Sequence, residues 1–116
     1  MKPYVICHMV ASLDGSLHPS RFTKSPDGGP SDWSRIYEDI HKKFEHDAWI
    51  VGRVTMAEMS KVGPHGPARP GAVERPYHLA ARGGGKFAIA TDASGKLHFK
   101  SSKINGDDVV VLLGGT

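Results

Sequence analysis

Three short segments carry the side chains that could bind or act on a small molecule: Ser12-Leu13-Asp14-Gly15, Gly52-Arg53-Val54-Thr55 and Thr91-Asp92. Each follows an apolar run, and in open α/β sheets ligands bind over the carboxyl ends of the strands. Gly-Arg-x-Thr entering a helix sets free backbone N–H groups, a hydroxyl and a guanidinium where a phosphate would sit. Read as structure alone, Gly52 ends a strand and Thr55 caps a short helix, and both readings stand on these residues. Asp14 divides in the same way, between the aspartate of an Asp-Gly turn and the lining of a pocket.

Other chemistries find no constellation. The seven histidines contain no His-x-x-x-His pair, and His41 and His46, five apart, fall on different helix faces. One cysteine, Cys7, makes neither a zinc knuckle nor a disulfide framework, and fits a reducing, cytoplasmic setting. His8 reads as a core or site-edge histidine. No Gly-x-Ser-x-Gly elbow occurs, and Gly83-Gly84-Gly85 has neither Walker A spacing nor a helix after it, so it reads as a flexible loop before a strand.

Charge points weakly. The balance of 15 Lys+Arg against 12 Asp+Glu gives +3, too little to argue for nucleic acid. Residues 61–106 hold Lys61, Arg69, Arg75, Arg82, Lys86, Lys96, Lys100 and Lys103 against only Glu74 and Asp92. Such a basic middle can meet a phosphorylated small molecule or nucleic acid, and is more often a solvated face. It lacks the interleaved aromatics of single-strand binders. No apolar run approaches the roughly 18 residues of a membrane span. With 39% hydrophobic residues and 116 positions, one soluble α/β domain is expected.

Those segments need elements to hold them. Tyr4–Ala11 (YVICHMVA) reads as a strand buried on both faces. A helix follows with Ser31 and Asp32 as N-cap candidates, Trp33, Ile36, Tyr37, Ile40 and Phe44 at helical spacing, and an end near His46-Asp47. Ala48–Gly52 is a second buried strand and Met56–Ser60 a short helix. Residues 61–85, with ten Gly or Pro, form a long surface loop. Lys86–Ala90 is a third strand, Lys96–Lys100 alternates like an edge strand, Asn105-Gly106 turns, and Asp108–Leu113 is another buried strand. One good helix and one short one cannot cover both faces of such a sheet, so a further chain or a longer sequence is expected to do so.

VASLDG near the start, SDW opening the first helix and DAWIVGRVT across the second strand resemble the dihydrofolate-reductase-like superfamily. The nearer resemblance is to the reductase domain of the bacterial riboflavin-biosynthesis deaminase/reductase, of whose domain the chain resembles the amino-terminal half to two thirds. The resemblance implies a three-layer sandwich with a mostly parallel central sheet, incomplete at the carboxyl end. It also implies an NADPH-dependent reductase acting on a substrate like 5-amino-6-(5-phosphoribosylamino)uracil, with hydride passing to ribose C1′. By position in the family motif, Ala11, Trp33, Gly52, Arg53, Thr55 and Thr91 look like cofactor contacts. Asp14, Ser31 and Lys43 look like substrate contacts, with Lys43 standing where the family often has arginine for the substrate phosphate. A cytoplasmic homodimer is implied too.

The chain departs from the family in one stretch. Where the riboflavin enzyme usually has Asp-Asp-Pro after its Gly-x-x-Thr helix, this sequence has Met56-Ala57-Glu58-Met59-Ser60-Lys61. The family's Gly-Gly phosphate loop and last strands are expected beyond residue 116. Two alternatives follow. One is a dihydrofolate- or pteridine-type reductase, which Gly52-Arg53-Val54-Thr55 also resembles; the other is a non-catalytic nucleotide-binding or dimerisation module.

Overall fold

A computed structural model describes residues 1–23, 32–63 and 83–114. Its contacts divide the chain into two units, Met1–Glu45 and His46–Thr116. In the first unit, helix α1 (Asp32–His41) half-buries Trp33 and Tyr37 and exposes Arg35, Glu38 and Asp39. It stops short of the predicted end. After His41 the chain tightens into i→i+3 bonds, Lys43 N–H to the Ile40 carbonyl at 3.0 Å and Phe44 N–H to the His41 carbonyl at 3.1 Å. The His8 ring stacks on Tyr37 with centroids 4.1 Å apart, and its Nε2 donates to the Tyr37 carbonyl at 3.1 Å.

The strand expected over Tyr4–Ala11 is absent. Among the described residues this stretch has no ladder partner, and Tyr4, Val5, Ile6 and Met9 are all exposed. Aromatic and β-branched residues favour a pleated, half-buried surface, but only a neighbour's hydrogen bonds complete a strand. A single 3-10 turn, Pro19–Arg21, follows, with the His18 side chain accepting from the Ser20 N–H.

The second unit begins with β1 (Ala48–Gly52), whose predicted bounds hold, and runs without a break into helix α2 (Arg53–Ser60). There follow β2 (Phe87–Asp92), the two-residue β3 (Lys103–Ile104) and β4 (Asp107–Leu113). The sheet order is β1-β2-β4-β3, parallel through β1, β2 and β4 and antiparallel only at β3. Among the described residues the fold is therefore mixed α/β, with a mostly parallel four-stranded sheet and two α-helices. Asn105 (φ 51°) and Gly106 (φ 82°) make the two-residue turn between β3 and β4, the doubly left-handed geometry that Asn-Gly favours.

Register assigns the two sheet faces. Trp49, Ala88 and Val109 lie side by side, as do Val51, Ala90 and Val111. On this face Met56 from α2 and Leu97 join Ala88, Ala90 and Ile104 in the core. The small side chains of Ala88 and Ala90 are fully buried and let the helix approach the central strand. Lys96–Lys100 keeps its alternation in burial, with Leu97 in and Lys96 and His98 out, yet forms no strand. Leu97 lies in the core and Phe99 packs against it. The other face carries the row Ile50, Ile89, Val110, with Ile50 57% exposed.

Candidate functional site

The passage from β1 into α2 is made at one residue. Gly52 is the N-cap of α2, extended at φ −77° and ψ 169°, and no side chain caps the helix. The first N–H groups of an α-helix have no partner within the helix, so those of Arg53, Val54 and Thr55 face outward. Arg53 and Thr55 are both exposed in this first turn. An uncapped helix start with a guanidinium and a hydroxyl on it attracts an anion.

Among the described residues, nothing requires glycine at position 52. Its dihedrals suit any residue, and a Cβ added there would meet no described atom within 4 Å. The missing side chain leaves clear space in front of the helix start. In register, Thr91 lies directly beside Gly52, and Leu112 beside Thr91, so exposed Thr91 borders the same clearing. Adjacent strands are about 4.8 Å apart, which puts the Thr91 backbone within one side chain's reach of a group seated at Gly52. Gly52, Arg53, Thr55 and Thr91 are thus brought together at the carboxyl edge of the sheet.

The remaining expected residues lie in the first unit. Ser12 hydroxyl donates to the Asp14 carboxylate, the Ser16 N–H donates to Ser12 Oγ at 3.0 Å, and the Gly15 N–H closes on the Ser12 carbonyl at 2.9 Å. Gly15, at φ 87°, takes the left-handed turn position. Asp14 is therefore the turn-forming aspartate. The Ser12 hydroxyl and then the Ser16 backbone hold its carboxyl below the usual aspartate range. Trp33 is half-buried with Phe22 edge-on to it at 5.6 Å. Ala11 and Lys43 are exposed, and Cys7 is an exposed free thiol. Ser31 lies outside the described residues, as do Arg69, Arg75 and Arg82 of the basic stretch.

Two groups of consequence had only faint signals in the sequence. The Gly83 N–H donates to both carboxylate oxygens of Asp108 at 3.2 Å, so the triple glycine is pinned at its start rather than loose. Asp92 is 1% exposed, and its Oδ2 accepts from the Leu97 N–H at 2.7 Å. The alternation Ala88, Ala90, Asp92 along β2 is what marks that carboxylate as inward-facing.

Among the described residues, no three His, Cys, Asp or Glu side chains form a group able to hold a metal ion. No helix of the described residues is long and apolar enough to cross a membrane. No family model, curated protein or solved structure matches the chain.

Proposed function

We propose that the chain carries the amino-terminal part of a dihydrofolate-reductase-like domain, a three-layer sandwich, and acts as an NADPH-dependent reductase. The observation that carries this reading is the uncapped start of α2 behind Gly52, a glycine that no described residue requires. Its open N–H groups, with Arg53 and Thr55, suit a phosphate of the dinucleotide, and Thr91 suits a polar contact beside it. The cofactor supplies the hydride; this chain's residues bind and orient it. Ala11 and Trp33 are the further cofactor contacts of this reading, and the basic residues of 61–106 would read the 2′-phosphate. Asp14, Ser31 and Lys43 would face the substrate, a small phosphorylated pyrimidine similar to 5-amino-6-(5-phosphoribosylamino)uracil. A homodimer belongs to the same reading.

The test is NADPH binding by calorimetry to the wild type and to Gly52→Ala. An alanine at an unstrained, open glycine position typically adds about 0.4–1 kcal/mol of stability. Gly52→Ala should therefore melt at the same temperature or slightly higher, yet bind NADPH about tenfold more weakly, because the added methyl keeps a phosphate from closing on the helix N–H groups, and each charge-assisted bond so weakened is worth about 1.5–3 kcal/mol. A wild type that takes up no NADPH sinks the reading. Turnover with dihydrofolate in place of the pyrimidine would favour the pteridine-type alternative. Binding without oxidation of NADPH on either substrate would leave a nucleotide-binding module.

A further inference from the structure

We propose that Asp92 is a positioning residue for this site, fixing the carboxyl end of β2 so that Thr91 presents its side chain beside Gly52. The proposal rests on the reading of Gly52 and Thr91 as cofactor contacts and adds to it a residue that touches no ligand. Asp92 follows Thr91 in β2 and points to the opposite face, where it is 1% exposed. Three bonds brace the strand end. Asp92 Oδ2 accepts from the Leu97 N–H at 2.7 Å, the Asp92 carbonyl from the Gly95 N–H at 3.1 Å, and the Ala93 carbonyl from the Gly114 N–H at 3.2 Å. The first is the shortest of the three and the only one made by the Asp92 side chain.

That stiffness comes at a cost to the fold. Asp92 Oδ1 is buried and has no hydrogen-bond partner among the described residues. A buried acceptor left unpaired destabilises, and so does a carboxylate placed in an apolar core. One carboxylate oxygen thus holds the turn while the other stays unpaired among the described residues, and the exposed residue next to this brace on β2 is Thr91. A binding group must be held within about 0.5 Å to be effective, which is what a short, stiff brace one residue away provides.

The experiment measures NADPH affinity and melting temperature for the full chain as wild type, Asp92→Asn, Asp92→Ala, Thr91→Val and the double variant Thr91→Val/Asp92→Asn. Asp92→Asn keeps an acceptor for the Leu97 N–H and should remain folded even if Asp92→Ala does not. It should bind NADPH about five- to tenfold more weakly, the range expected when a bond is weakened and not lost. If Asp92 acts through Thr91, the asparagine should have no further effect in the Thr91→Val background. A wild-type affinity in Asp92→Asn, or losses that add in the double variant, overturns the proposal while leaving the cofactor reading intact. Absence of NADPH uptake by the wild type overturns both, and is recognised because it precedes any comparison of variants.

Discussion

Asp14 shows how a single side chain can be placed by its own neighbours. Its carboxylate accepts from the Ser12 hydroxyl and lies 3.5 Å from the Ser16 N–H. These bonds favour the charged form and lower its pKa. The folded-state value lies below the unfolded one, so the turn's contribution is whole above the ordinary aspartate range and is lost only as pH falls through the depressed value. A carboxyl-detected NMR titration should find Asp14 ionised at a pH where a free aspartate is half protonated. Ser12→Ala, which removes the largest cause, should return it upward, and an unmoved titration would contradict the geometry. The Asp-Gly pair announced this turn in the sequence because turn chemistry is local. Asp92 was not legible as a brace, since its partner Leu97 becomes its neighbour only through the turn at Gly95.

At the scale of elements, the same division between local and distant causes recurs. β1, β2, β4 and α2 lie close to where apolar runs and breakers put them. The β3–β4 hairpin follows from Asn105-Gly106, and its left-handed Gly106 is a point of sensitivity. Gly106→Val should cost roughly 1–2 kcal/mol, the penalty for a side chain in that conformation, and a thermal melt would register it as a lowered midpoint. Tyr4–Ala11 has equal β-forming content and makes no strand, because pairing is a long-range event that composition does not specify. Helix α2 is held by Met56, a large side chain with no exposed surface. Met56→Ala should destabilise by about 2–5 kcal/mol through lost burial and the cavity left behind, read from denaturant midpoints. A value below 1 kcal/mol would mean that the helix does not depend on this contact.

Across the whole molecule, order is unevenly spread. The central strand β2 is paired on both sides, and two of its side chains, Ala88 and Ala90, are fully covered. Its amides should be the slowest to exchange with solvent deuterium, and those of Tyr4–Val10 among the fastest. Protection of Tyr4–Val10 equal to that of β2 would contradict the arrangement. That Gly52 and Thr91 would stand at strand ends and Thr55 in a helix start was legible because Gly and Thr mark such positions locally. Ala11 and Lys43 carried no such local marker and are exposed in the first unit. One contact at the far end of the sheet has a practical use. Trp49 sits on the outermost strand, yet its indole N–H reaches past β2 to the Asp107 carboxylate on β4 at 2.8 Å. The sheet thus contains its own optical gauge. With Trp33 replaced by phenylalanine, the emission of Trp49 would report the closing of three strands at once, at the strand ends opposite Gly52.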